Sequence, residues 1–142
     1  MGLLEKIFKK KTPVRNKDQG TALERYWKSF CHAINGIIYC LKYEHNMIII
    51  LLATFIVTIC GFVFKISIPE WLFIIFVCGA IAACEVINSS IEAIVDLITS
   101  DFSELAKIAK DTASSASLLL CTVALIGGLI IFIPKIALLI GG

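Results

Sequence analysis

The sequence predicts an all-α membrane protein in which an amphipathic helix precedes three membrane-spanning helices. Three observations carry this. Of the 142 residues, 58% are hydrophobic, with a mean hydropathy of +0.91, well above the roughly 45–50% apolar content of ordinary soluble domains. Apolar stretches long enough to cross a bilayer recur at residues 47–64, 71–98 and 112–133. The cations are unevenly spread, nine of the thirteen Lys and Arg lying before Asn46. The net charge of +2 is too small to favour a polyanion, so no nucleic-acid partner is expected.

Residues 1–20 read as a basic, flexible tail. Pro13 and Gly20 are breakers, and the lysines suit anionic lipid headgroups. MGLLEKIFKKK has too few apolar residues before its lysines for a cleavable signal peptide. Residues 21–142 form the membrane domain. Over residues 21–43, Leu23, Tyr26, Trp27, Phe30, Ile34, Ile37 and Leu41 recur at steps of three and four, with Glu24, Arg25, Lys28, His32 and Lys42 largely between them. This is the pattern of a helix lying in a membrane interface.

Met47 to Phe64 is an uninterrupted apolar run, ~27 Å as a helix and just enough to cross the hydrocarbon core. A short turn containing Pro69 follows, and Trp71 restarts the hydrophobic pattern as an interfacial anchor. Ser100 and Asp101 read as a break and a new N-cap, with Glu104 at capping-box spacing from Asp101; a short helix is expected to follow, on which Lys107 can pair with Asp111. The third span opens on the small-residue run TASSAS, which permits close helix contact, and Pro134 is expected to end it. None of the six cysteines sits at zinc-ligand spacing, so free thiols packed as small hydrophobes are expected. The cation distribution puts the N-terminus and the loop before Lys107 and Lys110 on the cytoplasmic side.

The second span carries the chemistry. Glu85, Asn88, Glu92 and Asp96 fall at offsets of 0, 3, 7 and 11, so they share one helix face. A carboxylate as deep as Glu85 costs about 2.5–3.5 kcal/mol on the lenient insertion scale, which favours a functional role. Glu92 and Asp96 lie roughly 10 and 16 Å further along, toward water. Glu44, at the hinge before the first span, could join Glu92 in supplying two carboxylates to magnesium, which takes few protein ligands and keeps phosphate oxygens and waters. Lys110 and Arg25 could face a triphosphate, and Glu85 could take a proton from an alcohol. A metal, cationic clamps and a base are the parts phosphoryl transfer needs. Neither GxxxxGK[ST] nor a Gly-rich kinase loop is present, which excludes P-loop and protein-kinase folds as the source.

The segment Glu85-V-I-Asn88-S-S-I-Glu92-A-I-V-Asp96, followed by Leu105-A-K-I-A-Lys110-Asp111, resembles the signature of the prokaryotic diacylglycerol kinase family, small three-span lipid kinases that include the undecaprenol kinases. The likeness runs from about Arg25 to Ile133. It implies a homotrimer in a bacterial cell membrane, with active sites shared between subunits, transferring the γ-phosphate of MgATP to a lipid hydroxyl. Carried over by position, Glu85 matches the catalytic base, and Glu44 and Glu92 the metal-binding carboxylates that also meet the nucleotide. Arg25 and Lys110 match phosphate-contacting cations, with Arg25 also beside the lipid, and Asp111 an adjoining nucleotide contact. Asp101, Phe102 and Ser103 fall where a loop touches the nucleotide, and Asn88 and Ser114 flank the lipid's reacting group. His32 stands where an aromatic lies near the adenine, and Ser103 where His is common. The pattern of Phe30, Ala33, Gly36, Ile37 and Tyr39 leans toward undecaprenol over diacylglycerol as acceptor. The reading from another class is a small proton or cation channel lined by the four polar residues. A channel has no need of Lys110, Asp111 or Glu44.

Overall fold

A computed structural model describes residues 21–99 and 101–141, all of whose regular structure is helical. The basic tail and the break at Ser100 lie outside these residues. Four helices follow in order: α1 (Ala22–Tyr43), α2 (His45–Val63), α3 (Ile68–Ile98) and α4 (Glu104–Gly141). The last three are long and apolar enough to cross a membrane. At 1.5 Å per residue α3 is ~46 Å long and α4 ~57 Å, so both outrun a hydrocarbon core of ~30 Å.

The chain forms two units, one ending at Asn35 and one beginning at Gly36. In the first, α1 starts with a capping box. The Thr21 N–H donates to Glu24 Oε2 at 2.8 Å and the Glu24 N–H to Thr21 Oγ1 at 3.3 Å, satisfying two amides that a helix start otherwise leaves open. Trp27 and Phe30, one turn apart, stack with ring centroids 5.9 Å apart.

In the second unit α3 makes the helix contacts, extensively with α4 and more sparsely with α2. Gly61 leaves room for Trp71, and Gly127 for Phe73: a Cβ at those positions would come within 2.7 and 2.2 Å of the rings. Between these two keys lies an apolar cluster of Ile66, Ile74 and Ile131, with Phe64 and Phe132 in edge contact against it.

The α2–α3 turn is tightly specified. The Ile66 N–H donates to the Gly61 carbonyl and the Lys65 N–H to the Phe62 carbonyl, the pair of bonds of a Schellman cap. Lys65 therefore takes a positive φ of 48°, a conformation more often given to glycine. Ser67 and Glu70 then make a capping box for α3, with Pro69 in the first turn where a missing N–H costs nothing.

Three details of α4 correct the sequence reading. The segment expected as a short helix plus a separate span is one continuous helix. Its cap is Ser103, whose Oγ accepts from the Ala106 N–H at 3.5 Å and whose carbonyl takes the first helical bond from Lys107; Asp101 instead donates its N–H to Thr99 Oγ1. And Pro134 lies inside the helix, which runs on to Gly141. Proline removes one helical bond, but here Ile131 and Phe132 are packed against α3, and Lys135 reaches Glu70 at 3.2 Å. These anchors on either side of Pro134 hold the helical course.

Candidate functional site

The end of the α3–α4 pair remote from that cluster is polar. Along α3 the shared face grades from dry to wet: Glu85 is 3% and Asn88 5% exposed, Glu92 is half-buried, and the Asp96 side chain is 65% exposed. The helical period puts the four on one face, and α4 covers only its deeper half.

Two cross-links fix the antiparallel register. At the deep end Ser117 Oγ donates to Glu85 Oε2 at 3.2 Å. At the exposed end Lys110 Nζ donates to Asp96 Oδ1 at 2.6 Å, and Glu92 also lies within the electrostatic reach of Lys110. Between them Asn88 Nδ2 donates to Glu92 Oε1 at 2.9 Å, its neighbour one turn along. The other end of that amide, Asn88 Oδ1, is buried and has no partner among the described residues. Such an acceptor costs free energy unless something fills it. The expected Lys107–Asp111 pair is not formed among the described residues; Lys110 and Asp96 make the ion pair instead.

Beyond Asp96 lies a cavity of about 330 Å³ lined by Asp101, Phe102, Ser103, Lys110 and Asp111, together with Asp96 and Lys107. All five residues expected at the nucleotide from this segment thus line one space. Phe102 is 85% exposed, a large apolar ring left largely uncovered among the described residues.

Glu44 is the N-cap residue of α2 but makes no side-chain capping bond, so its carboxylate is uncommitted. Counting out from the turn at Lys65, equal rises along α2 and α3 bring Glu44 to about the level of Asn88. Ser114 turns its hydroxyl onto its own helix, donating to the Asp111 carbonyl at 3.0 Å. Arg25, on the first turn of α1, and His32, at its middle, lie exposed within the N-terminal unit.

For magnesium the donor chemistry is suitable. Among the described residues no group of three or more His, Cys, Asp or Glu could hold a metal, but magnesium asks for only one or two carboxylates beside substrate phosphates. Glu92 keeps one oxygen clear of Asn88 and Glu44 keeps both.

The profile of the prokaryotic diacylglycerol kinases matches residues 31–132, a range that takes in α2 and α3 whole, the cavity loop and most of α4. The chain belongs to the prokaryotic diacylglycerol kinase family. An undecaprenol kinase of Bacillus subtilis (strain 168) is 40% identical over 121 residues, 85% of this chain and 98% of the relative. A diacylglycerol kinase of Helicobacter pylori (strain J99) is 42% identical over 71 residues, half of this chain and 55% of the relative. As a member of this family the chain is a lipid kinase, a phosphotransferase of a bacterial membrane. A buried carboxylate beside a wetter cavity lined by both lysines and aspartates suits a kinase whose two substrates come from different solvents.

Proposed function

We propose that this lipid kinase phosphorylates undecaprenol, using MgATP, at a site running from Glu85 to the cavity beside Lys110. The observation that carries the site is the buried Glu85 carboxylate, next to the unpartnered Asn88 Oδ1, on the helix face that emerges at the cavity where Lys107 and Lys110 meet Asp96, Asp101 and Asp111. The choice of acceptor is supported by the relative that this chain covers almost end to end, named an undecaprenol kinase; the relatives named diacylglycerol kinases align over about half their length.

In this reading the lipid hydroxyl lies at Glu85 and Asn88. Glu85 takes its proton as the alcohol oxygen bonds to the γ-phosphorus, and the bond to the bridging oxygen breaks to release ADP. Asn88 Oδ1 accepts a hydrogen bond from the bound substrates. Lys110 exchanges Asp96 for phosphate oxygens, a swap between two anions that leaves its charge paired throughout. Asp101, Phe102, Ser103 and Asp111 border the nucleotide and Ser114 on α4 the lipid; roles for Arg25 and His32 are what the family resemblance implies. Glu44 and Glu92 would hold Mg²⁺, which when bound neutralises charge on the phosphates.

The reading includes the homotrimer implied by the family resemblance, with sites shared between subunits, and α1 lying in the interface with the N-terminus cytoplasmic. Large apolar side chains exposed along α2, α3 and α4, such as Phe55, Ile75, Phe76 and Leu125, suit both lipid and neighbouring subunits. Supplying purified protein with radiolabelled ATP and equal undecaprenol and diacylglycerol in mixed micelles tests the function. Label is expected mainly in undecaprenyl phosphate. Preferential labelling of diacylglycerol overturns the acceptor, and a folded protein that labels neither overturns the site.

A further inference from the structure

The small-residue run at the start of α4 does not use its hydroxyls alike. Ser114 Oγ donates to the Asp111 carbonyl at 3.0 Å and Ser115 Oγ to the Thr112 carbonyl at 2.7 Å; further along, Thr122 Oγ1 donates to the Leu118 carbonyl at 2.9 Å. Each is the local back-bond such a side chain ordinarily makes in an apolar helix. Among these four hydroxyls Ser117 alone forgoes it, crossing to α3 to donate to Glu85 Oε2 at 3.2 Å. No other hydrogen bond reaches the Glu85 carboxylate among the described residues, although that residue is 3% exposed. Ser89, one turn along the same helix, spends its hydroxyl on the Glu85 backbone carbonyl instead.

We infer that Ser117 is a positioning residue for Glu85, an inference resting on the reading of Glu85 as the base. A glutamate has three side-chain torsions to fix, and one bond from the facing helix ties down one oxygen. Oε2 is held by Ser117, and Oε1 is left to receive the proton from the lipid hydroxyl. Ser117 lies seven residues beyond Lys110 and three beyond Ser114, on the α4 face that meets the polar face of α3. It therefore ties the base to the same helix that carries the phosphate-facing cation, and the separation of base and cation is set by one rigid element. Misplacing a reacting group costs rate rather than affinity.

The test compares Ser117→Ala, Ser117→Thr, Glu85→Gln and Ser115→Ala in the full chain, in mixed micelles with undecaprenol and MgATP, with thermal unfolding measured beside each. Ser117→Ala is expected to lower kcat roughly tenfold, the scale of one hydrogen bond to a charged group, with KM for both substrates unchanged. Ser117→Thr, which keeps the hydroxyl, recovers most of kcat, and Ser115→Ala leaves turnover unchanged. If Ser117→Ala keeps full kcat while Glu85→Gln is inactive, the role of Ser117 is overturned and that of Glu85 stands. If Glu85→Gln keeps full turnover, the reading beneath the inference fails. If Ser117→Ala and Ser117→Thr lose kcat equally, or KM rises in step with the loss, Ser117 acts through packing and the inference is overturned.

Discussion

The two ends of the α3–α4 pair use the same residue types to opposite effect. At one end Glu70 accepts from Ser67 at both its N–H and its hydroxyl, and pairs with Lys135. Trp71 and Phe73 fill the space above two glycines. Acid, cation and cap are all satisfied within the chain. At the other end, among the described residues, the Glu85 carboxylate accepts one hydrogen bond and Asn88 Oδ1 none, while Lys110 is held by an exposed carboxylate. Glutamate, lysine and serine occur at both ends. On the proposed reading, what separates a structural end from a functional one is how many of their bonds the protein leaves for something else. Changes at the polar end should therefore move turnover and spare stability, and changes at the packed end should do the reverse.

The largest effect is expected from Glu85→Gln. Gln keeps the shape and can still accept from Ser117, but it cannot take up the lipid hydroxyl proton. Turnover in a lipid phosphorylation assay should fall by roughly three orders of magnitude, within the range for a general base. Circular dichroism and the melting temperature should stay near those of the parent. Loss of helicity alongside activity would put Glu85 among the structural acids and break the contrast.

The next effect lies at the packed end. In Gly127→Ala the new methyl would sit within 2.2 Å of the Phe73 ring, so the ring or the helix must shift. Overpacking of this kind costs about 1–3 kcal/mol. Thermal unfolding in detergent should reveal it as a lowered midpoint, with kcat per folded molecule unchanged. A drop in kcat at full folding would mean that strain at Phe73 is transmitted along α3 to Glu85, and the two ends would not be independent.

The polar face was legible in the sequence because helical spacing and the cost of a deep carboxylate both point to Glu85. Depth along that face followed from the length of the apolar run before it. The partner of Glu85 was not legible. Ser117 is one of three serines in TASSAS, and only the register between α3 and α4 distinguishes it. Asp96 was visible as a member of the face, but its pairing with Lys110 spans 14 residues and depends on how α3 and α4 meet, which the local Lys107–Asp111 spacing does not report. Asp101 and Ser103 are both acceptable caps two residues apart, and nothing local chooses between them. Pro134 misled for a different reason. The rule that proline ends a helix describes local bonding, whereas Ile131, Phe132 and Lys135 hold this one from both sides. The Ser67–Glu70 box, by contrast, had a readable S-x-x-E signature that the neighbouring Pro69 masked.

The smallest expected effect sharpens the contrast most, because it concerns an acid as well connected as Glu85 is not. In Glu70→Gln the amide oxygen can still accept from the Ser67 N–H, so the start of α3 stays capped, while the attraction to Lys135 is lost. A single half-buried ion pair whose acid keeps its capping bond contributes modestly to stability, and the melting midpoint should fall by less than in Gly127→Ala. The local consequence is sharper. Lys135 follows Pro134, where α4 already lacks one backbone bond, so the turns after it depend on side-chain anchors. Amide exchange over residues 136–141 should quicken while exchange near Ser117 stays as it was, and kcat should be that of the parent. Slowed turnover with unchanged exchange would mean that Glu70 contributes to the reaction across the length of α3. The division into a satisfied end and a reactive end would then be wrong.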